Sequence, residues 1–117
     1  MSERPQPPVR IYYCECYVNE RRIGTYDAYS PREALRWIRI SLMMIATTLD
    51  EAPYRRARTW LDHGQPAAAH DLEQGRPHTL TLKQRSTQAT WTVSPIVCRQ
   101  LTTGVRNNFL YDFKAAR

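Results

Sequence analysis

Residues 30–33, Ser-Pro-Arg-Glu, constrain the fold of this chain more than any other segment. Ser30 is a preferred helix N-cap, Pro31 suits the first helical position, and Glu33 stands where a capping-box glutamate is expected. The segment therefore predicts a helix from Pro31 to about Thr48. Apolar residues recur along it at 3-4-3-4 spacing, which predicts one buried stripe: Leu35, Ile38, Leu42, Ile45 and Leu49.

A β-hairpin is predicted in front of this helix. Residues 9–18 are rich in aromatic and β-branched types, which favour a strand, and residues 23–29 indicate a second strand. The polar break at residues 19–22 is short, and a short connection makes the two strands antiparallel neighbours.

The face of this hairpin that enters the core is left open by the sequence. If Val18 lies opposite Ile23, one face carries Tyr12, Cys14, Cys16, Val18, Thr25, Asp27 and Tyr29. The other face then carries Ile11, Tyr13, Glu15, Tyr17, Gly24, Tyr26 and Ala28. Both faces mix aromatics with one carboxylate. We favour the second as core, because Gly24 and Ala28 leave room for a closely packed helix.

A second helix is predicted after Asp50, which suits an N-cap, with Pro53 tolerated in the first turn. It is expected to end near Asp62, with Gly64 just beyond. Residues 65–78 contain two prolines and a glycine, and they are interpreted as a linker with one helical turn at residues 67–73.

The last third of the chain has the alternation of β-strands. Strands are predicted at residues 79–83, 89–93 and 96–101, with an interruption at Pro95, and a final strand is predicted through Phe109, Tyr111 and Phe113. Strands, then helices, then strands indicate an α+β fold of ββααβββ type, in which one antiparallel sheet carries the helices on one face. With 117 residues, the chain is expected to form a flexible Pro-rich arm (1–8) and one domain (9–117).

Composition and motifs argue against several classes of function. Only four glycines occur, and no nucleophile elbow, P-loop or dinucleotide fingerprint is present, so we predict no enzyme, no catalytic residue and no cofactor. Cys14, Cys16 and Cys98 do not match zinc-ligand spacing, so no metal site is predicted and buried apolar thiols are expected. The longest apolar run, residues 42–46, is far short of the roughly 20 residues that span a bilayer. A cytoplasmic location without membrane contact is expected.

Two arginine clusters predict binding to a nucleic acid, DNA or RNA. The formal net charge is +6, and Arg32, Arg36 and Arg39 stand at i, i+4 and i+7 on one side of the first helix. Like charges there, close to the positive helix end, are locally unfavourable, so an anionic partner would explain them. The second cluster is Arg55, Arg56 and Arg58. The alternative interpretation is that both clusters are solvated faces with Glu33, Asp50 and Glu51 as counter-charges.

A protein-binding adaptor or inhibitor, of the kind found in phages and mobile elements, is the second hypothesis. Tyrosines crowd the hairpin, and the second half of the first helix is apolar nearly all round. The candidate interface residues are Tyr12, Tyr17, Tyr29, Trp37, Met43 and Met44. A homodimer formed through the helix is a special case of this hypothesis.

Overall fold

The computed structural model describes residues 9–98, which form one four-stranded antiparallel sheet and three α-helices. The elements in chain order are β1 (Val9–Val18), β2 (Arg21–Ala28), α1 (Pro31–Ile45), α2 (Glu51–Thr59), α3 (Gln65–Glu73), β3 (His78–Gln84) and β4 (Thr87–Cys98). The predicted α+β class, with a hairpin before the helices and antiparallel strands after them, is confirmed. The predicted arm at residues 1–8 and the predicted strand through residues 109–113 lie outside the described residues.

The sheet has the strand order β2-β1-β4-β3. β1 pairs with β4 without interruption, from Val9 opposite Cys98 to Val18 opposite Ala89. The predicted break at Pro95 is wrong, because β4 is one strand through it. Since β3 begins opposite Val93, β4 has a described neighbour on one side only at Pro95, and the missing N–H can face the other side.

The register of the hairpin corrects the predicted faces. The turn consists of Asn19 and Glu20, both with positive φ (48° and 69°), so Val18 lies opposite Arg21 rather than Ile23. A bulge between Cys16 and Tyr17 shifts the pairing, because an extra residue on one strand moves its neighbours to the other face. Gly24 and Ala28 do face the helices, as expected, but they share that face with Tyr12, Cys14 and Cys16.

Both faces of β1 are buried, which is why the alternation of residue types does not identify the core face. All six residues from Ile11 to Cys16 are buried. The main core lies between the helices and one sheet face, while a smaller cluster of Ile11, Tyr13 and Ile96 lies on the opposite face. The sequence of a strand that is buried on both faces is a nearly continuous run of apolar residues, with little alternation of apolar and polar types.

The main core is built around α1. The inward side of this helix contributes Ala34, Leu35, Ile38 and Leu42, all buried, so the predicted stripe is confirmed, with Ile45 and Leu49 partly buried at its end. The sheet contributes Cys14, Cys16, Leu80, Leu82, Trp91 and Val93, and the other helices contribute Ala57, Trp60, Ala68 and Leu72. Burying one Leu or Ile side chain stabilises a fold by about 1.5–3 kcal/mol, so α1 anchors the layer of helices to the sheet.

The start of α1 is capped as predicted, with one difference. The Glu33 N–H donates to Ser30 Oγ at 3.1 Å, the first half of a capping box. The Glu33 carboxylate, however, accepts from the Tyr29 N–H (3.3 Å) instead of the Ser30 N–H. α1 ends at Ile45 and is continued by one 3₁₀ turn, Ala46–Thr48, close to the predicted end.

The helical turn predicted at residues 67–73 is confirmed and belongs to a longer helix, Gln65–Glu73, so the interpretation of the surrounding residues 65–78 as a linker is wrong. α2 continues through a π-helical turn, Trp60–Gly64, directly into α3. Pro66 lies in the first turn of α3, where no N–H is required. A Cβ at Gly64 would lie 2.8 Å from Trp60 Cδ1, so this glycine admits the indole rather than ending a helix.

Asp50 occupies the N-cap position of α2, as predicted, but its side chain makes no cap hydrogen bond. The carboxylate faces Arg85 at 3.5 Å, and the Asp50 N–H donates to Gln84 Oε1 at 2.6 Å. These contacts join the start of α2 to the end of β3 and the turn that follows it.

His78 links β3 to the π-helical turn and predicts a dependence of stability on pH. The Trp60 indole N–H donates to His78 Nε2 at 3.0 Å, so this nitrogen must be unprotonated. Burial lowers the pKa of His78 from its usual value, although Asp71 opposes the shift. The unfolded chain therefore binds the proton first, at about pH 6.5, and the free energy of unfolding decreases as pH falls below that value.

We expect urea unfolding to show that the free energy of unfolding falls between about pH 7.5 and about pH 5.5, and that it falls less in His78→Gln. The glutamine amide oxygen can still accept from Trp60, and it does not titrate. His63 and His70 are present in both proteins, so the difference between them isolates His78. Equal pH profiles for the two proteins would contradict the assignment.

Candidate nucleic-acid interface

Arg32, Arg36 and Arg39 lie on one side of α1, and the structure brings them together as predicted. All three are exposed, and they line one surface groove of about 500 Å³ together with Ser30, Glu33 and Gln65. Gln65 is the first residue of α3, so the groove runs along the boundary between the two helices. We call it the arginine groove.

Among the described residues, no ion pair neutralises the positive charge of the arginine groove. Within residues 9–98, the structure forms salt bridges at other arginines but none at these three. Of the described residues that line the groove, Glu33 alone carries a carboxylate, and its oxygens accept from the Tyr26 hydroxyl (2.5 Å) and the Tyr29 N–H. The groove therefore presents three cations whose mutual repulsion a bound anion would relieve.

The second predicted cluster has a different charge environment. Arg55 pairs with Glu51 and Arg58 with Asp62, both at i, i+4 along the helix. Such exposed pairs contribute little to stability, but they reduce the charge that a ligand meets. No residue of α2 lines the arginine groove. A role of Arg55, Arg56 and Arg58 in nucleic-acid binding stays a prediction, and the contacts of Arg55 and Arg58 are those of a solvated, internally paired face.

The predicted protein interface is not one surface. Tyr12 is in the main core with 6% exposure, so its assignment to an interface is wrong. Tyr12 shares its face of β1 with Cys14 and Cys16, and this face lies under the helices. Tyr17 is half-buried on the opposite sheet face, where its hydroxyl donates to Glu15 Oε2 at 2.8 Å. The remaining residues of the set lie around α1: Tyr29, Met43 and Met44 are exposed, and Trp37 is half-buried.

Beside the arginine groove lies an aromatic surface that the sequence analysis does not predict. Tyr26 on β2 and Trp37 on α1 lie with nearly parallel rings, 8° between planes and 6.3 Å between centroids. A second depression, of about 540 Å³, is lined by Tyr26, Glu33, Arg36, Trp37 and Ile40. We call these five residues the aromatic depression. The i, i+4, i+7 spacing of Glu33, Trp37 and Ile40 signals the helical half, but the approach of Tyr26 depends on tertiary structure.

The described cysteines are buried thiols. Burial, with smaller contributions from Asp27 and Glu33, raises the pKa of Cys14 to about 12, and burial also raises the pKa of Cys16. Both stay protonated at neutral pH, which is unfavourable for nucleophilic or metal-binding chemistry. No group of three or more His, Cys, Asp or Glu side chains within the described part of the chain is placed to hold a metal ion.

Comparison with known proteins does not assign a family or a function. No family model, curated protein or solved structure matches the chain at a significant level. Among the described helices, none is both long and apolar enough to cross a membrane. Function therefore has to be inferred from the arginine groove and its surroundings.

Proposed function

We propose that this protein is a non-enzymatic nucleic-acid-binding module that contacts phosphates through the arginine groove. One observation carries the proposal: three exposed arginines line a single groove without an ion pair in the described structure, while the carboxylate beside them is engaged by two donors. Guanidinium groups present planar, fork-shaped donors that match phosphate oxygens. The net charge of +6 supports the same proposal, since a positively charged surface attracts polyanions.

The mechanism is phosphate neutralisation. Each arginine that meets a phosphate displaces condensed counterions, and their release favours binding. Contacts to phosphates do not report base identity. We therefore expect weak sequence specificity.

A titration with salt tests this function. We expect labelled DNA and RNA, in single-stranded and duplex form, to bind with micromolar or tighter affinity at about 50 mM salt. Three phosphate contacts predict that the dissociation constant rises about 20- to 40-fold between about 50 and 200 mM salt. Fluorescence anisotropy measures both quantities. No binding at the lowest salt, or an affinity independent of salt, would refute the proposal.

A protein-binding role is the second candidate, because the outer side of α1 exposes large apolar side chains. Ile40, Met43 and Met44 are 46%, 62% and 76% exposed, respectively. Exposed apolar residues at i, i+3 and i+4 on one helix are a feature of protein interfaces, including those between two copies of one chain. Binding through such residues would respond little to salt, so the same titration separates the two candidates.

A further inference from the structure

The aromatic depression is held in a fixed arrangement before any ligand binds. The Tyr26 ring stacks on Trp37, and its hydroxyl donates to Glu33 Oε1 at 2.5 Å, so the side chain is restrained at both ends. Trp37 in turn lies across Gly24, where an added Cβ would be 3.8 Å from Trp37 Cζ2. Tyr26 nevertheless keeps 39% of its surface exposed. A restrained, exposed ring can bind a flat ligand at little further cost in side-chain entropy.

The aromatic depression adjoins the arginine groove. Arg36 and Glu33 line both. A ligand that spans them meets guanidinium groups on one side and an aromatic and aliphatic surface on the other, the latter formed by Tyr26, Trp37 and Ile40. The volume of about 540 Å³ is within the range of small-ligand sites, about 300–1,000 Å³.

We infer that the preferred ligand is single-stranded nucleic acid, with its phosphates along the arginine groove and an unpaired base stacked in the aromatic depression. This inference rests on the proposed function and narrows its ligand class. In a duplex the bases stack on each other, and only their edges reach the grooves. An unpaired base can turn a flat face to Tyr26 or Trp37, and stacking of this kind tolerates every base.

Two strands of equal phosphate number test the role of the base with the unaltered protein. The probes are a labelled thymidine strand of about 15 nucleotides, a length near the upper end of known site sizes, and an abasic strand of the same length. We expect the thymidine strand to bind about 5- to 150-fold more tightly than the abasic strand, the range given by one stacked base. The salt dependence of the two should be the same, because the phosphates are the same. Equal affinity for both strands would overturn the inference.

A matched pair of variants then locates the stacked base. Tyr26→Leu removes the ring and keeps apolar bulk, whereas Tyr26→Phe keeps the ring and removes only the hydroxyl. Both variants release Glu33 from the Tyr26 hydroxyl, so we expect them to change abasic-strand and duplex binding to the same extent. On the thymidine strand, we expect Tyr26→Leu to bind about 5-fold or more weakly than Tyr26→Phe, because only the leucine variant lacks the ring. Circular dichroism checks that both variants fold. An equal loss of affinity for all probes in Tyr26→Leu would overturn the inference.

The outcomes separate this inference from the function on which it rests. A protein that binds none of the probes at low salt contradicts both. A protein that binds duplex, abasic and thymidine strands alike, with a steep dependence on salt, keeps the proposed function and overturns the preference for unpaired bases.

Discussion

Replacement of Arg32, Arg36 and Arg39 together by glutamate is expected to weaken nucleic-acid binding by at least about 100-fold. Three lost contacts of about 1 kcal/mol each account for that factor, and three new negative charges in the same groove add repulsion. The slope of affinity against salt concentration should fall by about one for each phosphate contact removed. Fluorescence anisotropy across the salt range measures both effects.

The matched control reverses the second cluster, Arg55, Arg56 and Arg58. Each triple variant has a formal net charge of zero instead of +6, because every reversal changes the charge by two. Arg55 and Arg58 are already paired with Glu51 and Asp62, so we expect a loss of less than about 10-fold in the control. Equal losses in the two variants would mean that overall charge, not the arginine groove, attracts the nucleic acid.

The second large effect concerns stability. Leu42→Ala is expected to lower the free energy of unfolding by about 2–5 kcal/mol, because Leu42 is fully buried and its removal leaves a cavity in the main core. Met43→Ala, one residue further along α1, should change it by less than about 0.5 kcal/mol, since Met43 is 62% exposed. Urea unfolding followed by circular dichroism gives both values.

This pair also tests the role of the apolar second half of α1. If the exposed methionine side were covered in solution by a second copy of the chain, Met43→Ala would destabilise the protein at concentrations at which the unaltered chain pairs, and the loss would disappear on dilution. A large, concentration-independent loss in Met43→Ala would instead place Met43 inside the core and contradict the exposure described above.

Local signals in the sequence were sufficient for α1 but not for the hairpin. The Ser30 cap and the stripe through Leu35, Ile38 and Leu42 depend on residues within a few positions of each other, and the structure confirms them. The β2 residues that share a face with a given β1 residue depend on a tight turn and one bulge, and a shift of one residue exchanges them.

The sequence predicts only one helical turn where α3 forms, because Gly64 and Pro66 are common signals of a helix end. Here the glycine makes room for the Trp60 ring, and the proline lies where a helix needs no N–H. Neither role can be read without knowing that the chain continues as a helix.

In the candidate site, too, the sequence predicts the features within one helix but not the contacts between elements. The arginines at i, i+4 and i+7 were predictable, because helical spacing alone puts them on one side. The engagement of Glu33 by Tyr26, and the stacking of Tyr26 on Trp37, join β2 to α1 and depend on how the helix crosses the sheet. Contacts between elements of this kind are decided by packing, which local patterns do not encode.

Because β1 pairs with β4, the sheet cannot be completed until almost all of the described chain has been synthesised. The two central strands of the sheet are the first and last described elements, with Val9 opposite Cys98. At about 5–20 residues per second, a ribosome takes several seconds to make the residues between β1 and β4. During that interval β2 is the one strand of the sheet that can pair with β1. The backbone N–H and C=O groups on the other edge of β1, which later pair with β4, have no strand partner. Before β4 emerges, this edge of β1 can pair with strands of other chains, which leads to aggregation. A chaperone that binds the nascent chain during this interval would prevent such pairing.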